Sequence, residues 1–175
     1  MRSALIYFLA FGFILAGSFE VAAKFIGDQK IVLTQDNTVV IRGDIDGYSM
    51  TDATKAILNL RAKDANSKIY LVMDSPGGDV GAGLAFIKFL ETQSNISTIT
   101  INAASMASGI VESLPERLIV KDGTLMFHRA KIGLEGYIND GEMESELAYF
   151  KKVVQVLEDI NRKRFGMTLA EYRQN

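Results

Sequence analysis

The sequence predicts an α/β fold with a largely parallel sheet, and three observations lead to that reading. Apolar runs of strand length alternate with helix-period stretches along the chain. One run, Ile69-Tyr70-Leu71-Val72-Met73, is apolar throughout, the pattern of a strand covered on both faces. The residues with chemical potential fall at strand-to-helix turns, the edge of such a sheet where sites form.

The elements follow in order. Thr38-Val39-Val40-Ile41-Arg42 reads as a short strand. Met50, Ala53, Ile57 and Leu60 then repeat at helical spacing, with Ser49 or Thr51 as the cap. After the Ile69–Met73 strand, Val80, Leu84, Ile87 and Leu90 mark a second helix. Thr98-Ile99-Thr100-Ile101 is the next strand, and Ala104 to Leu114 the next helix. Two further strands are expected around Arg117–Lys121 and Thr124–Phe127. Pro76 and Pro115 fall at turns between elements. The last long helix begins at Asn139, whose side chain with Glu142 fits a capping box, and Gly166 ends it. Met143, Leu147, Phe150, Val154 and Leu157 should face inward along it.

Composition narrows the function. A chain of 175 residues suits one domain, and a hydrophobic content of 48% supplies a core. Zero Cys removes disulfide scaffolds, thiolate metal sites and cysteine nucleophiles. A single His, His128, removes a His-rich metal site. No metal and no cofactor is expected. The net charge of −2 argues against a nucleic-acid partner, which calls for a basic face.

Residues 1–23 read as an address. Met1-Arg2 is charged, Ser3 to Phe19 carries no charge, and small residues follow at Ala16-Gly17-Ser18 and Val21-Ala22-Ala23. This is the pattern of a secretory signal peptide, or of an uncleaved membrane anchor through residues 3–19. The expected location is therefore exported, periplasmic or secreted, or membrane-anchored, with the cytoplasm as the alternative. Residues 24–175 form the remaining domain.

Three segments could do chemistry. Asp74-Ser75-Pro76-Gly77-Gly78-Asp79 bends tightly and leaves N–H groups open to a ligand oxygen, or is a plain Gly-Gly turn. In Asn102-Ala103-Ala104-Ser105-Met106, a serine opens a helix beside the dipole's positive end and the next residue's free N–H. That arrangement favours an attacking alkoxide and the oxyanion it creates, or it is an ordinary N-cap. Ser108 and Ser113, further along, read as packing or surface residues. In Leu125-Met126-Phe127-His128, the histidine ends an apolar strand near the same edge, either as a structural residue or as the base for Ser105.

Ser75-Pro76-Gly77-Gly78, Ala103-Ala104-Ser105-Met106 and Met126-Phe127-His128, in this order and spacing, resemble the ClpP-type serine peptidases of the crotonase-like superfamily. Ile41-Arg42-Gly43-Asp44-Ile45 resembles that family's opening strand, and the likeness runs from Thr38 to the chain end. The resemblance implies a repeated β-β-α spiral with a long C-terminal handle helix, from about Glu142 to Arg164. It implies Ser105 as nucleophile, His128 as general base, and the N–H groups of Gly78 and Met106 as the oxyanion hole. Gly77, Gly133 and Gly136 would lie along extended substrate, the last two in the handle strand.

The same resemblance implies polypeptide substrates, a homo-oligomeric ring, and an ATP-driven unfoldase partner if the protein is not exported. The family's triad aspartate would align a few residues beyond Asn175, so Asn175, Asp140 and Glu142 are the other candidates to orient His128. The expected activity is serine endopeptidase hydrolysis of unfolded or small polypeptides. The alternatives are a catalytically impaired peptide-binding scaffold and a crotonase-like acyl-CoA enzyme.

Overall fold

The computed structural model describes residues 6–7, 23–26, 29–131 and 139–174. Three short strands, β1 (Ile6–Tyr7), β2 (Ala23–Ile26) and β3 (Gln29–Lys30), form a small antiparallel ribbon. The main body then alternates strand and helix: β4 (Thr38–Ile45), α1 (Gly47–Lys63), β5 (Ile69–Gly78), α2 (Val80–Glu91), β6 (Ile96–Ala104), α3 (Met106–Ser113) and β7 (Glu116–Met126). Two helices, α4 (Asp140–Phe165) and α5 (Leu169–Gln174), complete it.

All pairings among β4, β5, β6 and β7 are parallel, and the strands lie side by side in chain order. Parallel neighbours need crossover connections, and α1, α2 and α3 supply them. Their inner faces (Ile57 from α1, Ile87 from α2, Ile110 from α3) share one apolar cluster with Ile41, Leu71 and Met73 of the sheet. Each such buried aliphatic contributes roughly 1.5–3 kcal/mol. On the opposite face Ile31, Leu33, Ile99, Leu118 and Val120 form a second, smaller cluster, with Tyr70 and Val72 against it. The wholly apolar run Ile69–Met73 is therefore covered on both sides, as its composition requires.

The element boundaries differ from the sequence reading at informative places. The cap of α1 is Asp46, whose Oδ1 accepts from the Ser49 N–H at 2.7 Å, while Ser49 Oγ accepts from the Asp46 N–H at 2.9 Å. Ser49 is thus the return half of a capping box and not the cap itself. Those bonds to the charged form hold the Asp46 carboxyl below its usual value. β5 runs on through Pro76 to Gly78, so Pro76 lies inside a strand end and not in a turn. Ala104 belongs to β6, and α3 starts only at Met106. The two strands expected at Arg117–Lys121 and Thr124–Phe127 are one strand, β7, with Asp122 in the left-handed region at φ 62° inside it.

α4 keeps its predicted ends: the Asn139–Glu142 capping box and a left-handed Gly166 at φ 67°. Its second half packs on the body. Leu157 is buried beside Gly109, where any side chain on that glycine would collide with Leu157 Cδ1. Arg164 reaches the Glu112 carboxylate at 3.1 Å and the Leu114 carbonyl at 3.0 Å, tying α4 to the end of α3. The first half does not turn its apolar stripe inward. Met143 is 50% and Leu147 42% exposed, while Phe150 and Val154 are half-buried, because contact with the core begins only near Val153.

Among the described residues no helix is long and apolar enough to cross a membrane. Residues 3–19, the expected signal or anchor, lie outside the described residues except for the two of β1. Gly133 and Gly136, the expected substrate-strand glycines, lie outside them as well.

Candidate active site

Ser105 stands between the end of β6 and the start of α3, at φ 54° and ψ −122°. A serine in this region carries strain of about 1–3 kcal/mol, which persists only where the surroundings over-determine it. They do so here. The Ser105 N–H donates to the Met126 carbonyl at 2.8 Å, and the Ser105 carbonyl accepts from the Gly109 N–H at 3.3 Å. The buried Ser108 hydroxyl lies 2.6 Å from the Ser105 carbonyl oxygen and 3.0 Å from that of Met126, so its one proton serves both. Among the described residues the Ser105 side chain makes no capping bond, leaving its Oγ uncommitted. It is a helix-start serine that does not act as a cap.

Gly77 brings the end of β5 against the Ser105 turn. It sits at φ 96°, and a Cβ there would lie 2.5 Å from the Ala104 oxygen, 2.8 Å from Ser105 Cβ and 3.0 Å from the Met106 nitrogen. Only glycine allows so close an approach at that φ. Gly78, at φ 151°, abuts the backbone of Ile45 in the neighbouring strand. The Met106 N–H, at the first position of α3, is one of the amides a helix N-terminus leaves without an intrahelical partner. With no acidic side chain in the first turn of α3, its positive end faces Ser105 unneutralised.

The third segment meets the same place through its backbone. Ala104 pairs with Met126, and Met126 is the carbonyl that holds Ser105 and Ser108. His128 follows two residues later, exposed, beside an open cleft of about 570 Å³. Among the described residues Phe127, Arg129, Phe165, Met167, Tyr172 and Arg173 also line it, and Ser105 does not. Phe127 meets Phe165 edge-on at 5.1 Å between ring centroids, and Phe165 stacks on Tyr172. Arg129 donates to the Arg173 carbonyl, and the Arg173 guanidinium forks onto Glu158, whose hydrogen bond and charge raise its pKa above the ordinary arginine value. Among the described residues no hydrogen bond joins His128 to Ser105 or to an acid.

The sequence-predicted residues thus divide. Ser105, Met106 and Gly77 are brought together, Gly78 sits against the Ile45 backbone, and His128 stands two residues beyond the end of the adjoining strand. Of the candidate orienting acids, Glu142 uses its carboxylate on the Asn139 N–H at 3.1 Å and Asp140 is exposed in the first turn of α4. Asn175 lies outside the described residues. Ser108 is the residue that sequence reasoning passed over. Its position three after Ser105 on a short helix was the available signal, since that spacing returns a hydroxyl to the helix's first carbonyl.

A strained, uncommitted serine at a helix start, backed by a glycine turn, suits attack on a carbonyl and retention of the resulting oxyanion. The family model described as Clp protease matches residues 23–175. The chain belongs to the Clp protease family. Its curated relatives include two proteins named ATP-dependent Clp protease proteolytic subunit. That of Streptococcus gordonii (strain Challis) is 27% identical over 143 residues, covering 79% of this chain and 73% of the relative. That of Streptococcus pneumoniae (strain Hungary19A-6) is 26% identical over the same length. Clp protease membership supports a hydrolase of the serine-peptidase kind, and the four-stranded parallel sheet with its long C-terminal helix accords with that fold.

Proposed function

We propose that this Clp protease family member is a serine endopeptidase that hydrolyses unfolded or small polypeptides through an acyl-enzyme. The observation that carries the reading is the strained backbone of Ser105, held without any use of its hydroxyl. In this reading Ser105 Oγ attacks the scissile carbonyl while His128 takes its proton. The N–H groups of Gly78 and Met106 hold the oxyanion, and His128 then returns the proton to the departing amine. Water repeats the sequence to release the acyl group. Gly77 admits the substrate backbone beside the nucleophile.

His128 is the single histidine of the chain, so no other imidazole can serve as the base. Its exposure, and the missing hydrogen bond to Ser105, favour one second reading: a peptide-binding scaffold that does not cut. The two separate on one pair of measurements. The peptidase reading expects a fluorophosphonate to label Ser105 in the wild type and not in Ser105→Ala, with casein turnover lost in the same variant. A wild type that binds extended peptides, never labels and never turns over casein contradicts the peptidase reading.

We further infer a homo-oligomeric assembly, for which the exposed Met143, Leu147 and Tyr149 on α4 offer apolar surface. For the charged-then-apolar leader, which lies outside the family match, we propose export or membrane anchoring. An ATP-driven unfoldase would be a partner only without export. Cell fractionation with N-terminal sequencing tests the leader: processing near residue 23 or membrane retention supports it, and an unprocessed cytoplasmic chain refutes it.

A further inference from the structure

The parallel sheet breaks register three times, and all three breaks fall in one band. Between Arg42 and Asp44 of β4, strand β5 carries an extra residue. Between Met73 and Asp74 of β5, strand β6 carries Ile101 in excess. Against that single Ile101, strand β7 runs through four residues, from Val120 to Gly123. The excursion needs Asp122 at φ 62°, and it needs Gly123, whose Cβ would lie 3.0 Å from the carbonyl oxygens of Thr100 and Ile101.

One row of residues spans all four strands at this band. Arg42 pairs with Asp74, Asp74 with Asn102, and Asn102 with Thr124. Their side chains form an unbroken line across the sheet. Arg42 Nε donates to Asp74 Oδ2 at 3.2 Å, and Asn102 Nδ2 donates to Asp74 Oδ1 at 3.1 Å. Thr124 Oγ1 donates to Asn102 Oδ1 at 2.9 Å. Every candidate site residue lies just downstream: Gly77 and Gly78 after Asp74, Ser105 after Asn102, and His128 after Thr124.

The position matters because ladder hydrogen bonds transmit register only while pairing is continuous. Past the β5–β6 and β6–β7 breaks, pairing resumes at this row and runs on to Ser75–Ala103 and Ala104–Met126, so this row is where the downstream register is set again. A slip of one residue would move a strand end by about 3.3 Å and turn its side chains to the other face. We propose that the row Arg42–Asp74–Asn102–Thr124 is a register clamp that aligns the three site-bearing turns with one another. Resting on the peptidase reading above, this makes Asp74, Asn102 and Thr124 positioning residues for the Ser105–His128 pair. The terminal rung, Thr124 to Asn102, sets β7 against β6 and therefore His128 against Ser105.

Thr124→Val keeps the shape and strand preference of the side chain and removes only the donor. Two readouts on the full chain test the clamp. Hydrogen exchange by mass spectrometry compares the segment holding the Ser105 N–H with the Ile69–Met73 amides upstream of the breaks. Peptide cleavage gives kcat and KM separately. Loss of one hydrogen bond predicts about fivefold faster exchange downstream alone. It also predicts a kcat lowered by about fivefold at unchanged KM. Thr124→Ser, which restores the hydroxyl, returns both values.

Unchanged exchange downstream in Thr124→Val overturns the clamp. So does an equal acceleration in every strand, which is the mark of a general loss of stability. A wild type without turnover, whose downstream exchange still responds to Thr124→Val and recovers in Thr124→Ser, refutes the peptidase reading and leaves the clamp standing.

Discussion

Ser105 and His128 stand at the ends of adjoining strands, and the molecule holds them in opposite ways. Ser105 is bound into the body by its own amide, its own carbonyl, the buried Ser108 hydroxyl and the close approach of Gly77. His128 is an exposed side chain on an irregular segment beside an open cleft. Ser105 and the first amide of α3 are therefore held in place within this chain. Strain is kept where packing is dense and adjustability where it is not, which is the division expected of a site built on a rigid strand-to-helix turn.

Breaking the rigid half has the largest effect on stability. Gly77→Ala places a methyl group against Ala104, Ser105 and Met106 at φ 96°, and should cost about 3 kcal/mol. Thermal or urea unfolding measures it, and a cost near zero would show that the two turns are not in firm contact. Ser108→Ala should cost about 1–2 kcal/mol, because it removes the one side-chain donor shared by two carbonyls at a buried site. The same variant should label more slowly at Ser105 without loss of fold, checked by circular dichroism.

The adjustable half should show the contrast. His128→Ala is expected to change unfolding free energy by less than about 0.5 kcal/mol, as at other surface positions without special contacts. A large loss would mean that His128 is a structural residue. The smallest effect is on acid titration, and it lies away from both halves. Asp46 and Glu171 are held below their usual values by hydrogen bonds from Ser49 and from Thr168 respectively. Depressed values mean that both carboxylates contribute in full above the unfolded-chain values. That contribution fades as pH falls through the lower folded ones. Asp46→Asn should flatten part of the acid limb of helical signal between those values, while an identical limb would show that the cap contributes nothing.

The same contrast explains what was legible in the sequence. Periodicity and continuous apolar runs report burial, so β5, α2 and the caps of α4 could be read directly. The Ser105 turn could be read because glycine and a helix-start serine have local conformational meaning. Breaks in strand register were not legible. Pro76 and Gly77 look like a turn but end a strand, and Asp122-Gly123, between the two expected strands, is an excursion inside β7. In both cases a partner strand distant in sequence decides the conformation. Met143 and Leu147 misled for a related reason: an apolar stripe declares that it will be covered, not by what, and here both are exposed. Ser108 was hidden because its importance lies in a carbonyl supplied by Met126, eighteen residues away.

The central claim is that this Clp protease family member uses Ser105 as a nucleophile activated by His128. The rate of fluorophosphonate labelling, wild type against His128→Ala, tests it most directly, since the rigid half stays intact in both. The account predicts labelling confined to Ser105 and slowed by roughly a thousandfold or more when the imidazole is removed. Labelling of Ser105 at the same rate in both proteins would contradict it.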